Sequence, residues 1–476
     1  MVKKTECELL LQEASRLGTE YLRTVRDRRV APEQVALDGL NLFDCPLSET
    51  GLDGSAVLRE LDQWGSPATV ASAGGRYFGL VIGGALPVTV AANWLATAWD
   101  QNAVFRWTSP IAAKLEDVSL SWLANLFGIP QGYGGAFVSG ASMANMAALA
   151  SARHALLSRV EWNVEEQGLA GSPSLRIVVS EEAHVTVLKA LALLGLGSKA
   201  PIKVPVDEQG RMRPEAMPTL DEKTIVCIQA GNVNTGAFDP ARDICALARK
   251  AGAWVHVDGA FGLWARAAKT FQELTNGFEL ADSWATDAHK WLNVPYDNGV
   301  VLVREARHLR ASMSANAAYL LEGIDGDREP SHYTLELSRR ARGIDVWAAL
   351  RHLGRSGVAA MIERCCRHAR CFADGLRNRG FVVLNKVVLN QVLVSFGPPE
   401  LTRLAVRILQ SEGICWCGST VWQGQTAMRI SVSSWATTEA DVELSLEAIN
   451  NAVRMANDQI SRGTDEQSNR RDEPEL

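Results

Sequence analysis

The sequence has little of what marks a disulfide-stabilised, zinc-binding or nucleic-acid-binding protein. Its nine cysteines are an odd number in 476 residues, and they include no Cys-x-x-Cys pair and no His–Cys spacing typical of zinc. Acidic residues outnumber basic ones by 54 to 48, so no basic excess is available to attract phosphate backbones. These absences predict a cytoplasmic protein with reduced thiols, no bound metal and no nucleic-acid partner.

Membrane and secretion signals are also scarce. The first residues, Met1 to Glu8, are too polar for the apolar region of a signal peptide. The uncharged stretch from Gly79 to Trp99 is long enough to span a bilayer, but it contains glycines, Pro87 and Asn93 and lacks flanking basic clusters. We therefore predict a buried wall of small residues in this stretch and no membrane partner.

Short β-rich runs alternate with helical patterns through the middle of the chain. The runs predict strands at residues 176–180, 224–229, 253–257, 282–286 and 299–303. Strands separated by helices are typical of an α/β fold, in which a mostly parallel sheet is covered by helices on both faces.

The pattern changes after residue 328. Helices and short strands there predict a smaller C-terminal α+β domain at 329–456. The last twenty residues, 457–476, contain only two apolar side chains, Ile460 and Leu476, and we predict a disordered tail.

Small and polar residues recur just past the predicted strands. They are Ser139-Gly-Ala-Ser142, His184, Asn232 to Asn234, Asp258 and the pair His289-Lys290. Each of them alone is typical of a turn, a helix cap, a core residue or a solvated surface. Because ligands of such sheets bind beyond the carboxyl ends of the strands, their recurrence predicts one binding site.

One ligand needs all of these groups. Backbone N–H groups at a helix start, with small residues at Gly140, Ala141 and Ser142, can receive a phosphate. The ring of His184 can stack on a flat aromatic ring.

The two remaining groups complete the description of the ligand. Asp258, held on a rigid strand, can pair with a cationic pyridine nitrogen. Lys290, in a hydrophobic setting beside Trp291, can form a Schiff base with an aldehyde. The ligand with this phosphate, pyridine and aldehyde is pyridoxal 5′-phosphate.

These residues resemble the group II pyridoxal-phosphate-dependent amino-acid decarboxylases, which include the aromatic-amino-acid and glutamate enzymes. The resemblance extends from about Gly75 to Ile449. It is strongest in His256-Val-Asp-Gly-Ala-Phe-Gly262 and in Ala281-Asp-Ser-Trp-Ala-Thr-Asp-Ala-His-Lys-Trp-Leu292, and the segments Gly135–Arg153 and Gly231–Pro240 add to it.

The resemblance implies fold type I, with a large cofactor-binding α/β domain at 75–328. It also implies a helical N-terminal arm at 1–74 that makes dimer contacts, and a homodimer whose active sites lie at the interface. The implied activity is decarboxylation of an L-α-amino acid to the amine and CO₂ through a Schiff base on Lys290 and a quinonoid intermediate.

The resemblance also implies roles for single residues. Asp258 would pair with the pyridine nitrogen, His184 would stack on one face of the ring, and Ala260 would contact the other face. Asn232 lies where the family usually has a threonine near the ring hydroxyl. The implied phosphate contacts are Ala141, Ser142, Ser283 and His289.

Residues implied for substrate binding leave the substrate class open. Arg429 matches an arginine that receives a substrate carboxylate in glutamate decarboxylase, although pairing with an acidic side chain is an alternative. Tyr77 and Phe78 correspond to a substrate-pocket segment, with ordinary aromatic packing as their alternative. These aromatic residues and nearby Trp107 favour an aromatic or apolar substrate, whereas Arg429 suits an acidic one.

Three departures from the family pattern bear on the chemistry. Asp287-Ala288 stands where the family usually has Asn-Pro, and Asp258-Gly259-Ala260 replaces the usual Asp-Ala-Ala. In the loop near 316–338, the position of the proton-donating tyrosine of aromatic decarboxylases falls near Pro330. The candidate proton donors are therefore His332, Tyr333 and Lys290, with Tyr319 further away.

Alternative activities follow from the displaced tyrosine. Oxygen could intercept the quinonoid and give an aldehyde, ammonia and peroxide, as in a decarboxylation-dependent aldehyde synthase. Cleavage of the Cα–Cβ bond and transamination are further alternatives on the same cofactor. The last alternative is a binding module that holds the cofactor without turnover.

Overall fold

The computed structural model describes residues 5–314 and 328–469, and the chain divides into two compact units. The larger unit comprises Gly83–Ala369 and Asn385–Gln391, and the smaller unit comprises Met1–Ile82, Arg370–Leu384 and Val392–Leu476. This division differs from the predicted one. Residues 329–369 belong to the larger unit, and the N-terminal helices belong to the same unit as the C-terminal sheet, because contacts between distant segments leave no local pattern in the sequence.

Helices and strands alternate through most of the described chain. The helices are α1 (Glu6–Thr24), α2 (Gln34–Gly39), α3 (Gly54–Glu60), α4 (Pro87–Trp99), α5 (Pro110–Phe127), α6 (Ala141–Ser158), α7 (Val164–Gln167), α8 (Val185–Leu193), α9 (Ala241–Ala251), α10 (Ala288–Trp291), α11 (Ala306–Met313), α12 (Gly343–Asn378), α13 (Pro399–Glu412) and α14 (Glu439–Asn469). The strands are β1 (Gly134–Val138), β2 (Arg176–Ser180), β3 (Ile202–Val204), β4 (Thr224–Gln229), β5 (Trp254–Asp258), β6 (Ser283–Asp287), β7 (Gly299–Val303), β8 (Val382–Val383), β9 (Gln391–Ser395), β10 (Gly418–Trp422) and β11 (Gln425–Ser431).

A seven-stranded sheet forms the centre of the larger unit, with strand order β1-β7-β6-β5-β4-β2-β3. Strand β7 is antiparallel to both of its neighbours, β1 and β6, and the remaining pairings are parallel. The strands β1, β4, β5, β6 and β7 are buried along their whole length, as is typical of a sheet covered on both faces. The predicted mostly parallel α/β fold is confirmed.

Helix α6 is packed closely against this sheet. Its buried face is rich in alanine, including Ala144, Ala148 and Ala152, and small side chains allow the helix to approach the strands. The helix begins directly after β1, with the extended residue Gly140 at its N-cap.

The smaller unit contains a four-stranded sheet with strand order β10-β11-β9-β8. Helices α13 and α14 pack against each other within this unit. Helix α14 continues to Asn469, so the prediction of a disordered tail from residue 457 was wrong for 457–469. Residues 457–462 of this helix are exposed, so the scarcity of apolar residues in that part reflects a solvated helix rather than a chain without secondary structure.

Helix α4 differs from the buried wall that was predicted for residues 79–99. It has only 13 residues, and its exposed side chains include Ala91, Trp94, Leu95, Ala98 and Trp99. Within the described residues, none of the helices has both the length and the apolar character needed to cross a bilayer.

A chain of buried hydrogen bonds centres on His256 of β5. The Ser283 hydroxyl lies 2.9 Å from His256 Nδ1 and accepts a hydrogen bond from Trp254 Nε1, while His256 Nε2 lies 2.9 Å from Asn145 Oδ1. These partners fit a neutral imidazole that donates from Nε2 and accepts at Nδ1. Burial lowers the pKa of His256 to about 3.

This depressed pKa predicts a loss of stability in acid. The unfolded chain binds a proton at His256 below about pH 6.5, whereas the folded chain does so only near pH 3. The free energy of unfolding should therefore fall as the pH decreases through this window, by about 2 kcal/mol at pH 5 from this residue. In urea titrations between pH 7 and 4, His256→Gln should show a shallower decline than the wild type. Parallel declines would contradict this assignment.

Candidate active site

The five predicted segments converge at one edge of the seven-stranded sheet. They follow β1, β2, β4, β5 and β6, which all run in the same direction. Because the carboxyl ends of strands with one direction meet at one edge, the fold brings these segments together.

Asp258 ends β5 and is almost completely buried. Its Oδ1 accepts a hydrogen bond from the Ala260 N–H at 3.2 Å. Burial raises the pKa of Asp258, while the nearby charges of His184 and Lys290 act to lower it. A cationic group placed against this carboxylate would recover part of the electrostatic energy that burial removes.

The His184 ring is fixed at the N-cap of α8. Its Nδ1 accepts a hydrogen bond from the Thr186 N–H at 3.3 Å and lies 2.7 Å from the Thr186 hydroxyl. Two contacts at one ring nitrogen restrict rotation of the imidazole, so the ring can present a fixed face to a ligand.

Lys290 lies on α10, a helix of only four residues that follows β6. Its Nζ is 2.9 Å from Asp287 Oδ2. The backbone of Gly83 approaches so closely that a Cβ atom there would lie 1.9 Å from the Lys290 carbonyl oxygen. The Leu86 N–H also donates to the Asn293 carbonyl at 2.7 Å, so the segment before α4 holds the loop that carries the lysine.

Asp287 was noted in the sequence only as a departure from the family pattern, and the structure places it at the centre of the site. Its side chain is 3% exposed, and its Oδ1 accepts a hydrogen bond from the Ala141 N–H at 2.5 Å. The same oxygen lies 3.6 Å from His289 Nε2. Asp287 therefore links the N-terminus of α6 to the lysine loop.

The start of α6 forms a tight backbone cradle. A Cβ atom at Gly299 would lie 2.4 Å from the Gly140 Cα, and one at Gly140 would lie 3.2 Å from the His289 ring. Glycine is required at Gly299 because backbone, which cannot move aside, fills the space. The adjacent helix end carries N–H groups suited to an anion, and Ser142 is exposed in its first turn.

His289 packs beside this cradle. Its Nδ1 accepts a hydrogen bond from the Asn298 N–H at 3.0 Å, and its ring centre is 4.4 Å from that of Tyr296. Burial lowers the pKa of His289, which favours a neutral ring whose Nε2–H faces Asp287.

Asn232 is buried and its side-chain amide is fully engaged. The Nδ2 donates to Glu182 Oε2 at 2.8 Å, and the Oδ1 accepts from the N–H groups of Asn234 and Thr235. These bonds brace the loop after β4 against the segment that leads to His184.

Ser283, one of the predicted phosphate contacts, is not brought to this edge. The Ser283 hydroxyl is fully buried with Trp254 and His256 at the start of β6, so the structure does not place it beside Ala141.

Tyr333 lies under the Arg328 guanidinium, which donates to the Gly135 carbonyl near the start of β1. The neighbouring His332 belongs to the same short turn, Pro330–Tyr333. Because Gly140 follows the opposite end of β1, the structure does not place either side chain beside Lys290. Tyr319 lies outside the described residues.

The predicted substrate-binding residues Tyr77, Phe78 and Arg429 belong to the smaller unit. The Tyr77 ring stacks on that of Trp416 with their centres 5.0 Å apart. Phe78 is fully buried and packs edge-on against Phe372. Both aromatic rings therefore have packing roles in this unit, and burial lowers the pKa of Arg429.

Comparison with known proteins gives consistent matches. The family model for the pyridoxal-dependent decarboxylase conserved domain matches residues 76–397. The acidic amino acid decarboxylase GADL1 of Mus musculus is 28% identical over 415 residues, covering 84% of this chain and 73% of the relative. The aromatic-L-amino-acid decarboxylase of Bacillus atrophaeus is 26% identical over 386 residues, covering 76% of this chain and 77% of the relative.

A solved structure shows the same fold. It is the TDC of Oryza sativa, crystallised with PLP and tryptamine, with a TM-score of 0.87 and 22% identity. The match covers 95% of this chain and 99% of that chain.

The close approach of Gly299 to Gly140 predicts that a side chain at position 299 weakens cofactor binding. In Gly299→Ala, the new methyl group should displace Gly140 and the Ala141 N–H, and we expect at least a tenfold loss of affinity for pyridoxal 5′-phosphate. Absorbance titration measures the affinity, and circular dichroism tests whether the variant is folded. Gly51→Ala is the matched control, because no atom beyond its two chain neighbours lies within 4 Å of its added Cβ. Wild-type affinity in a folded Gly299→Ala protein would contradict this view of the cradle.

Proposed function

The chain belongs to the family of pyridoxal-dependent decarboxylases, and we propose that it releases CO₂ from an L-α-amino acid with an acidic or aromatic side chain. The observation that carries the proposal is the grouping of Lys290, Asp258 and His184 at one sheet edge beside the N-terminus of α6. These groups fit the aldehyde, the pyridine nitrogen, the ring and the phosphate of the cofactor.

Pyridoxal 5′-phosphate, when bound, supplies the electron sink for the bond that breaks at the substrate α-carbon. The buried Asp258 would hold a proton on the pyridine nitrogen, since a cation there offsets the cost of burying its charge. His184, locked by Thr186, would stack on the ring, and Ala260 would lie against its other face.

The phosphate would bind at the N-terminus of α6. Gly140 permits a close approach, and the N–H groups of Ala141 and Ser142 would donate to the phosphate oxygens. His289 would add a donor from Nε2, because its Nδ1 already accepts from Asn298. Asn232 would act indirectly, by bracing the loop next to the ring.

The proton that completes the amine is proposed to come from Lys290 Nζ. Among the candidate donors in the described residues, only Lys290 lies at this edge, whereas Tyr333 packs near the other end of β1. Lys290 would also bind the cofactor covalently through the same nitrogen.

The substrate class is proposed from the relatives and from Arg429. The two relatives described above are named for acidic and for aromatic amino acids. Phe78 is fully buried and Tyr77 is stacked on Trp416, which weakens the case for an aromatic pocket built from them. We therefore favour an acidic side chain, with Arg429 as the proposed partner of a substrate carboxylate.

An aldehyde-forming reaction is the second candidate. It is favoured by Pro330, which stands near the position of the expected loop tyrosine and can neither donate nor accept a side-chain proton. Peroxide formation distinguishes this reaction from amine formation.

A panel of L-amino acids tests the activity directly. The purified protein with pyridoxal 5′-phosphate should release CO₂ from acidic substrates without peroxide, and aspartate, glutamate and cysteine sulfinate would be compared with tyrosine, tryptophan and phenylalanine. The Lys290→Ala variant, which should lack Schiff-base absorbance, is the negative control. Peroxide equal to the CO₂ would instead support the aldehyde reaction. Absence of CO₂ from every substrate would contradict both candidates.

We also propose a cytoplasmic homodimer. All nine cysteines are free thiols, which supports a reducing compartment. Five of the exposed residues of α4 follow helical spacing and form an apolar stripe: Ala91, Trp94, Leu95, Ala98 and Trp99. A stripe of this kind is typical of a surface that a partner covers. A second copy of the chain covering α4 would also support the lysine loop, which the segment before α4 contacts.

Charge introduced into the apolar stripe should disrupt association. We expect the wild type to sediment as a dimer at micromolar concentration and the double variant Leu95→Glu, Trp99→Glu to sediment mainly as a monomer, because burying two carboxylates is costly. Val421→Glu, at an exposed apolar position of β10, is the control and should remain dimeric. A dimeric double variant would show that this stripe is not the interface.

A further inference from the structure

One carboxylate bridges the two functional ends of the site. Asp287 Oδ1 accepts from the Ala141 N–H at 2.5 Å, and Asp287 Oδ2 lies 2.9 Å from Lys290 Nζ. The first contact is at the helix end to which we assign the cofactor phosphate, and the second is at the Schiff-base lysine. Asp287 is therefore the side chain through which binding at one end can affect the other.

The residue type matters at this position. An asparagine at this position could donate to a phosphate but would not take up a proton near neutral pH. Aspartate can accept a proton, but its charged form repels an anion. The residue type at position 287 therefore decides whether this side chain donates to a bound phosphate or is repelled by it unless it takes up a proton.

The carboxylate and the phosphate compete for the same donor. The Ala141 N–H is in the first turn of the 18-residue helix α6, whose N-terminal N–H groups favour an anion. Two fully charged anions sharing that helix end would be destabilised by their mutual repulsion. The repulsion is removed if Asp287 becomes neutral.

We propose that Asp287 accepts the ammonium proton of Lys290 when a phosphate binds at the N-terminus of α6. The N–H bond at Lys290 Nζ breaks and an O–H bond forms at Asp287 Oδ2, across the 2.9 Å contact. With the cofactor present, the neutral amine of Lys290 would be able to bond to the aldehyde carbon, and its two hydrogens would leave with the carbonyl oxygen as water. No proton is exchanged with solvent in the transfer itself, and phosphate binding thereby makes the lysine nucleophilic.

The other charged groups that face Asp287 are consistent with this transfer. His289 Nε2 lies 3.6 Å from Asp287 Oδ1. Because Nδ1 of the same ring accepts a hydrogen bond from Asn298, Nε2 is the nitrogen that carries the hydrogen and can donate. Asp258 is a second nearby carboxylate, and its pKa is raised in part by Asp287. Of the two basic side chains that contact Asp287, Lys290 is the nearer, at 2.9 Å against 3.6 Å for His289, so it is the closer source of a proton.

The first experiment separates the phosphate from the aldehyde. Pyridoxal, which lacks the phosphate, is mixed with the protein at pH 7, and Schiff-base formation is followed by visible absorbance with and without inorganic phosphate. Potassium chloride keeps the ionic strength constant. In the wild type, phosphate should accelerate the reaction at least tenfold, and in Asp287→Asn it should give no acceleration.

The second experiment measures binding without Schiff-base chemistry. Pyridoxine 5′-phosphate has no aldehyde, and we expect Asp287→Asn to bind it about tenfold more tightly than the wild type, because the repelling charge is gone. Tighter binding combined with lost acceleration is not expected from a damaged site. Asp243→Asn, an exposed carboxylate in the first turn of α9, is the matched control and should behave like the wild type.

The outcomes are distinct. Acceleration by phosphate that persists in Asp287→Asn, or is absent from the wild type, overturns the proposal. Weaker binding by Asp287→Asn also overturns it, because Asp287 would then only support the structure. The proposal depends on the proposed function, which fails separately if pyridoxal 5′-phosphate forms no Schiff base with wild-type Lys290.

Discussion

The shared direction of six strands is the constraint on which the site depends. Chain segments separated by up to 150 residues, from Gly140 to Lys290, meet because the strands before them end at the same sheet edge. The antiparallel β7 has a related role. Its first residue, Gly299, begins where β1 ends and lets the backbone of Gly140 approach without a side chain between them. Sheet topology and one close backbone contact together position the N-terminus of α6, the proposed phosphate site, relative to the lysine.

Much of this arrangement could be predicted from the sequence, for a physical reason. Strands buried on both faces appear as continuous apolar runs, and residues 176–180, 224–229 and 299–303 were predicted with the bounds that the structure has. Asp258 was noticed because it directly follows a predicted strand, and Lys290 because it lies shortly after another. The mostly parallel sheet then brings them to one edge, so local patterns were sufficient to predict that these residues lie close together.

Other features depend on side-chain direction or on distant contacts, which local patterns do not contain. Ser283 lies on the strand that leads to Lys290, but its hydroxyl faces a buried histidine. Phe78 packs against Phe372, nearly 300 residues away in the chain, and the N-terminal helices belong to the unit of the C-terminal sheet. The importance of Asp287 was missed because only the folded chain shows that one carboxylate reaches both Ala141 and Lys290.

The buried hydrogen bonds that connect Trp254, Ser283, His256 and Asn145 all point in one direction, from Trp254 to Asn145. Each hydrogen between these residues is held by one donor and faces one acceptor, and the imidazole does not gain a second proton at neutral pH. Such a chain cannot carry a proton through the sheet without reversing every bond in turn. These four side chains therefore give no route by which a proton could pass from Trp254 to Asn145, and a proton needed at the proposed ligand site has to come from groups at the sheet edge.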